Sequence, residues 1–260
     1  MGDMLKTHHY AAETPQGRRP LLIAHGLFGS ARNWNVAAKN LASTRDVVTV
    51  DMRNHGESAW ADTQTYADMA GDLAEVIRHH GAPMDVLGHS MGGKAAMMLA
   101  LTTPELVGQL VIADIAPVPY AHDNTQHITA MRALPLVAMT RSEADRALAP
   151  LLPDASLRAF FLQSLDLRAT PPRWRLNLDV LQAYMPQIVG WPDIAAQFQG
   201  RTLFLSGGQS HYVLPAYRET IRALFPHARF VKIPEAGHWL HAEAPRAFEA
   251  TVDVFLAGGA

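Results

Sequence analysis

A serine lies between two glycines in the stretch DVLGHSMGGKAAMMLA, where Gly88 and Gly92 flank Ser90 at a distance of two positions. The pattern Gly-x-Ser-x-Gly is weak by itself, because short motifs recur by chance. Its context is stronger, since a short aliphatic strand pattern ends at the serine and a helical run of small and apolar residues follows. Glycines at these two positions leave room for chains that crowd around a strained turn. The sequence therefore predicts that Ser90 is a nucleophile, with an ordinary structural turn as the alternative.

Composition and charge limit the classes of protein to which the chain can belong. The 260 residues are 48% hydrophobic and 18% charged, which is typical of a globular domain. A formal net charge of −2 does not favour binding of nucleic acid or of an anionic membrane surface. The chain has no cysteine, which excludes disulfides, thiolate catalysis and cysteine-bound metals. Because no secretory signal and no membrane-spanning run is readable, we expect a cytoplasmic protein that does not insert into membranes.

Short apolar runs that end in turn residues recur along the chain and predict the strands of a sheet. They are rich in Val, Ile and Leu, as strands buried on both faces of a parallel sheet are. Helical patterns such as TYADMAGDLAEVIRHHG separate them, which favours an open α/β sheet with right-handed crossovers. The predicted strands lie within Pro20–Gly26, Asp46–Gly56, Met84–Ser90, Gln109–Asp114, Arg201–Gly208 and Ala228–Gly237.

The alternation of strands and helices stops in the middle of the chain. Residues 118–197 carry no strand pattern but several helical stretches separated by prolines, of which the last is Arg175–Val189. We interpret this region as a helical cap over the carboxyl edge of the sheet, where open α/β folds bind their ligands. Residues 1–117 and 198–260 then form the α/β core.

Four motifs together resemble one known superfamily. The stretches HGLFGS, DMRNHGES, GHSMGGKAAM and AGHWLHAE are similar to those of α/β-hydrolases, and more narrowly to the small bacterial YbfF-like esterases. They follow one another in the order of that family and span most of the chain outside the predicted cap. The resemblance implies a mostly parallel sheet of about eight strands flanked by helices, and a catalytic triad in the chain order serine, acid, histidine.

A serine hydroxyl needs a neighbouring base before it can attack a carbonyl group at neutral pH. Thirteen histidines are present, and the triad order of the family points to His238, directly after the last predicted strand. His89 is adjacent to Ser90 on a turn, where neighbouring side chains diverge, and we expect His241 at a polar surface position. No pair of histidines at helical spacing is accompanied by carboxylates in a way that suggests a metal site, so no metal is expected.

The acid of the triad departs from the pattern of most α/β-hydrolases. In most relatives it follows the strand that ends near Gly208, but this loop reads SGGQSHYV and carries Ser210 instead of a carboxylate. The YbfF-like subgroup is similar, with its acid after the preceding strand and a serine at the usual position. The resemblance therefore implies that Asp114 orients His238 and that Ser210 joins their network. The alternatives are a turn-capping Asp114 and an ordinary loop serine.

Acyl transfer places negative charge on the carbonyl oxygen, which two backbone N–H groups usually bind. Motif position implies that one belongs to Met91 and the other to Leu27 or Phe28, in a loop that glycines allow to fold close to the site. Phe28, Trp34 and Trp239 are candidates to contact an apolar acyl group, with ordinary core packing as the alternative for each.

The sequence and its resemblance together predict a serine hydrolase that cleaves carboxylic esters of short to medium acyl chains, with thioesters such as acyl-CoA as a further class. We expect a small-molecule substrate and no cofactor. Carbon–carbon bond hydrolases, cofactor-free haloperoxidases or perhydrolases and acyltransferases use the same triad, and a non-catalytic hydrolase-like binding protein is a more distant alternative. The natural substrate and the oligomeric state are not readable from the sequence.

Overall fold

The computed structural model describes residues 5–81 and 83–258. Residues 1–4 and 259–260 of the predicted core, and Ala82, lie outside the described residues. The described part forms nine strands: β1 (Thr7–Tyr10), β2 (Leu21–Ala24), β3 (Val47–Val50), β4 (Met84–His89), β5 (Val107–Ala113), β6 (Leu165–Asp166), β7 (Arg173–Trp174), β8 (Thr202–Gly207) and β9 (Ala228–Ile233).

Seven of these strands form one sheet in the order β1-β3-β2-β4-β5-β8-β9. Strand β1 pairs antiparallel with β3, and all other neighbouring pairs are parallel. The six strands predicted from the apolar runs are confirmed, and so is the mostly parallel sheet, which has one strand fewer than the eight on which the prediction centred. The strand that leads to Ser90 is β4, at the centre of the sheet between β2 and β5.

Helices cover both faces of the sheet and also fill the long connection between β5 and β8. They are α1 (Asn35–Leu41), α2 (Tyr66–His79), α3 (Met91–Thr102), α4 (Thr125–Ala133), α5 (Arg141–Leu148), α6 (Ala155–Leu162), α7 (Leu178–Ala183), α8 (Met185–Val189), α9 (Arg218–Leu224), α10 (Leu240–Glu243) and α11 (Pro245–Ala257). Within the described part of the chain, no helix is both long and apolar enough to cross a membrane.

The connection between β5 and β8 differs from the predicted pattern in two places. The single helix expected over Arg175–Val189 is divided into α7 and α8, because Pro186 has no N–H to continue the ladder of hydrogen bonds. The two-residue strands β6 and β7 pair in this region, and the expectation of no strand was wrong because two residues leave no readable alternation. The division into a core and a cap at residues 117/118 and 197/198 stays a prediction.

The core lies in two layers, one on each face of the sheet. Because successive side chains of a strand point to opposite faces, Leu22 and Ala24 of β2 pack into the cluster beneath α2 and α3. Leu21 and Ile23 of the same strand pack into the second cluster, with α1 and α11. All four side chains are fully buried, which explains why the strand reads as a continuous apolar run. This two-sided packing fixes the carboxyl edge of the sheet, where the candidate site lies.

Candidate active site

Ser90 occupies the sharp turn between β4 and α3. Its backbone has φ 53° and ψ −119°, a region that residues with a side chain rarely adopt. A Cβ atom on Gly88 would lie 2.3 Å from the carbonyl oxygen of Gly92, and one on Gly92 would lie 2.4 Å from that of His25. Both glycines are therefore required by the close approach of chains around the serine. The strained turn that the motif predicts is present in the structure.

Asp114 and His238 form a direct hydrogen bond. Nδ1 of His238 lies 2.7 Å from Oδ2 of Asp114, which assigns the Nδ1 proton to this contact and leaves Nε2 free to act as a base. Ser90 and His238 line the same cavity. Among the described residues, no hydrogen bond joins the hydroxyl of Ser90 to the ring of His238, and this contact commonly tightens only when substrate is bound.

The carboxylate of Asp114 is fully buried and accepts three hydrogen bonds. Besides the His238 ring, the hydroxyl of Ser210 donates to Oδ2 at 2.5 Å, and the N–H of Gly207 donates to Oδ1 at 3.1 Å. Ser210 in turn accepts the N–H of Tyr212 at 3.2 Å. The structure thus brings Asp114, Ser210 and His238 into one hydrogen-bond network, while their roles in catalysis stay predictions.

Two neighbours that the sequence analysis did not select hold His238 in place. The ring of Tyr212 stacks on His238, with a distance of 4.2 Å between ring centroids. Nε2–H of His89 donates to the backbone carbonyl of His238 at 2.9 Å. Burial lowers the pKa of His89 well below its ordinary value, with a further contribution from the neighbouring His238. A neutral His89 is therefore a fixed donor that locates the loop carrying the candidate base.

The loop after β2 carries the candidate oxyanion donors. The N–H of Phe28 donates to Nε2 of His55 at 3.2 Å, and the Phe28 carbonyl accepts the hydroxyl of Ser164 at 3.0 Å. Phe28 is therefore not a free donor, and the prediction that its N–H binds an oxyanion is wrong. The N–H groups of Leu27 and Met91 have no partner among the described residues, so they remain as the candidate pair.

Two buried histidines support this loop from below. Nε2 of His55 accepts the Phe28 N–H while Nδ1 donates to the carbonyl of Arg53 at 2.8 Å. Nε2 of His25 accepts the N–H of Met52 at 2.9 Å, and its Nδ1 donates to the carbonyl of Gly26. Burial lowers the pKa of His25 to about 4 and that of His55 to about 3, where the neighbouring His25 also contributes. Both rings are neutral at physiological pH and fix the backbone from which Phe28 extends at φ 62°.

A cavity of about 310 Å³ opens above Ser90. Its walls are mostly apolar or aromatic, and they include Phe28 and Trp239, two of the three residues that the sequence analysis selected as candidates, together with Met91. The region between β5 and β8 supplies much of the remaining wall: Tyr120, His122, Asn124, His127, Leu157, Phe160, Phe161, Ile188 and Val189. Such a cavity holds a small organic group with few polar contacts.

Trp34 does not line this cavity. It is 1% exposed and belongs to the core cluster on the opposite face of the sheet from α2 and α3. Its ring stacks on His241, with 4.0 Å between centroids and 16° between planes. The prediction that Trp34 contacts substrate is therefore wrong, and so is the surface position expected for His241, whose pKa burial lowers to about 4.

Lys94 is a further cavity residue that the sequence analysis did not select. It follows Ser90 by one turn of α3 and is 1% exposed. The sequence does carry a sign that Lys94 is unusual, because it is the only charged residue in the stretch MGGKAAMMLALT. His55 lies in the motif DMRNHGES, but neither its burial nor its contact with Phe28 can be inferred from the sequence.

Within the described residues, no cluster of His, Asp and Glu side chains is arranged to hold a metal ion.

The chain is similar to several known proteins. The family model described as the alpha/beta hydrolase fold matches residues 19–245. The chain is 40% identical to the sn-1-specific diacylglycerol lipase ABHD11 of Mus musculus over 91% of this chain and 80% of that protein. It is 38% identical to the esterase YbfF of Escherichia coli K12 over 94% of this chain and 96% of that protein. A solved structure of a marine microorganism esterase superposes with a TM-score of 0.91 at 33% identity, covering 97% of this chain and 99% of that one.

Replacement of His55 tests whether this ring positions the loop that carries Leu27. His55→Phe removes the acceptor of the Phe28 N–H, and we expect kcat for p-nitrophenyl butyrate to fall roughly 10- to 100-fold with a smaller change in KM. His55→Gln offers a carbonyl oxygen at a similar reach and should recover part of kcat. The two variants are compared at matched fractions folded, from urea unfolding curves. A kcat for His55→Phe equal to that of the wild type would contradict the positioning role.

The buried neutral histidines also predict how stability depends on pH. Because the folded-state pKa values of His25 and His55 lie at about 4 and about 3, the unfolded chain binds more protons as the pH falls below about 6.5. The free energy of unfolding should therefore be highest above that pH and decrease as the pH falls toward 4, by up to about 1.4 kcal/mol per pH unit for each histidine. Urea unfolding at a series of pH values measures the slope.

His55→Gln should give a shallower slope, whereas substitution of the exposed His211 by Gln should leave it unchanged. A free energy of unfolding that stays constant between neutral and mildly acidic pH would show that the two rings are not held neutral by the fold.

Proposed function

The chain belongs to the alpha/beta-hydrolase fold family, and on that premise we propose that it is a serine hydrolase of carboxylic esters with short to medium acyl chains. The observation that carries the proposal is that a strained Ser90 lines the same cavity as His238, whose Nδ1 lies 2.7 Å from the buried Asp114. Similar proteins named as a lipase and as esterases support ester hydrolysis.

The first half of the reaction forms an acyl-enzyme. Nε2 of His238 takes the proton of the Ser90 hydroxyl as Oγ attacks the ester carbonyl, and a tetrahedral intermediate forms. Its negatively charged oxygen accepts hydrogen bonds from the N–H groups of Met91 and Leu27. The intermediate collapses when His238 returns the proton to the leaving alcohol, so that the acyl group remains on Ser90.

The second half repeats these steps with water as the nucleophile and releases the carboxylic acid. Asp114 keeps the Nδ1 proton of His238 in place and stabilises the imidazolium that forms in each half. Ser210 donates to the same carboxylate oxygen and so helps to keep it charged and oriented. The reaction needs no cofactor, and thioesters such as acyl-CoA would follow the same route.

The size and walls of the cavity support the proposed substrate class. A volume of about 310 Å³ suits a short or medium acyl group, and the rings of Phe28 and Trp239 supply an apolar lining.

Two further parts of the proposal rest on the sequence alone. They are the cytoplasmic location and the division into an α/β core and a cap formed by residues 118–197.

Labelling with a fluorophosphonate tests the nucleophile. We expect a covalent adduct on Ser90, and Ser90→Ala should lose both the label and the turnover of p-nitrophenyl butyrate, the latter by a factor on the order of 10⁴ or more. The exposed Ser43 provides a matched control, since Ser43→Ala should keep both. An adduct at another residue, or near wild-type turnover by Ser90→Ala, would remove Ser90 from the mechanism.

The position of the acid is tested by comparing Asp114→Asn with Ser210→Ala. Because an amide at position 114 cannot keep His238 in the required tautomer, we expect kcat to fall roughly 10³- to 10⁴-fold. Ser210→Ala removes one donor to a carboxylate that retains two others, so about a tenfold loss is expected. Steady-state kinetics on both variants give the comparison. A severe loss for Ser210→Ala alone would overturn the assignment of Asp114.

A further inference from the structure

Lys94 places a positive charge on the wall of the cavity, one helical turn beyond Ser90. The N–H of Lys94 donates to the carbonyl of Ser90 at 3.0 Å within this turn, and both residues line the same cavity. The side chain is almost fully buried and lines the cavity. It takes no part in the steps of acyl transfer described above, so its presence needs another explanation.

The ammonium group is held by dipoles and rings but has no counter-ion. Nζ donates to the carbonyl of Val189 at 3.0 Å and to that of Gly190 at 2.5 Å. It also lies 4.7 Å from the centroid of the Tyr120 ring and 5.7 Å from that of Tyr66. Of its three N–H donors, the third has no hydrogen-bond partner among the described residues, and no ion pair of the described part includes Lys94.

A buried charge without a partner of opposite sign is costly, and proteins usually pair or neutralise it. Burial lowers the pKa of Lys94 to about 7. The residues that line the cavity include this lysine and several histidines but no Asp or Glu. His122, whose pKa is lowered by burial and by Lys94, is among those that face it. The cavity therefore favours a ligand that brings an anion.

We propose that Lys94 binds a carboxylate of the substrate, so that the preferred esters carry a free acid group a few bonds from the scissile ester. The two carbonyls and the tyrosine rings hold the ammonium in place, and its unpaired N–H donates to the incoming carboxylate. This inference rests on the proposed function, because it concerns the substrate class of that same site.

The same contacts permit a purely structural role, in which Lys94 joins α3 to the end of α8. In that case Lys94→Met would weaken turnover of acidic and neutral esters alike. The two roles are distinguished by the ratio of kcat/KM for an acidic ester to kcat/KM for its neutral counterpart. A loosened fold lowers both values and leaves the ratio unchanged, whereas loss of a carboxylate-binding group lowers the ratio.

Monomethyl succinate, glutarate and adipate are compared with methyl butyrate, valerate and hexanoate, in which a methyl group replaces the carboxylate. Acid release is followed below pH about 7, where the ammonium is protonated. We expect Lys94→Met to lower the ratio roughly 10- to 100-fold for at least one chain length. Lys94→Arg keeps the charge and should retain part of the ratio, and substitution of the exposed Lys39 by Met should leave it unchanged.

The inference is overturned if the ratio of Lys94→Met equals that of the wild type at all three chain lengths. If Lys94→Met does not fold, the inference is tested on the wild type alone. A wild-type protein that prefers the neutral ester at every chain length also overturns the inference. A wild-type protein that hydrolyses neither series and takes no fluorophosphonate on Ser90 would instead contradict the proposed function. Hydrolysis of both series with an unchanged ratio leaves that function intact and rejects only the role of Lys94.

Discussion

The carboxylate of Asp114 has to reach the ring of His238 across an intervening strand. Asp114 follows β5 and His238 follows β9, whereas β8 lies between these two strands. The reach depends on Gly207 at the end of β8, where a Cβ atom would lie 2.1 Å from the carbonyl oxygen of Gly237. The N–H of Gly207 donates to the carboxylate. A side chain at this position would separate the acid from the histidine, so the candidate triad depends on this glycine.

The sheet and the positions of the triad were predictable because they depend on local patterns and on chain order. Strands such as β2 are buried on both faces and read as continuous apolar runs. The serine turn is specified by steric contacts of Gly88 and Gly92, which a motif records directly. The absence of a carboxylate in SGGQSHYV excluded the usual acid position, and the family resemblance then pointed to Asp114.

The rest of the site depends on contacts between residues far apart in the chain. Nothing in the local sequence distinguishes Trp34 from an aromatic residue that contacts substrate. Its position away from the cavity follows from tertiary packing against His241. The motif position of Phe28 is compatible with an oxyanion donor, and its N–H is engaged only because His55, 27 positions later in the chain, supplies an acceptor. The role of His89 depends on the carbonyl of His238, 149 positions later in the chain. Patterns of hydrophobicity carry no information on such pairings.

The hydroxyl of Ser164, in the long segment between β5 and β8, donates to the carbonyl of Phe28, so this segment contacts the backbone beside the candidate oxyanion donor Leu27. The segment is therefore not an interchangeable module that chooses substrates while the core performs the chemistry. Grafting the corresponding segment of a relative onto this core would alter the alignment of the loop together with the shape of the cavity. Engineering of selectivity in this scaffold has to preserve a hydroxyl at position 164, or replace its contact, before changes in the cavity wall can be interpreted.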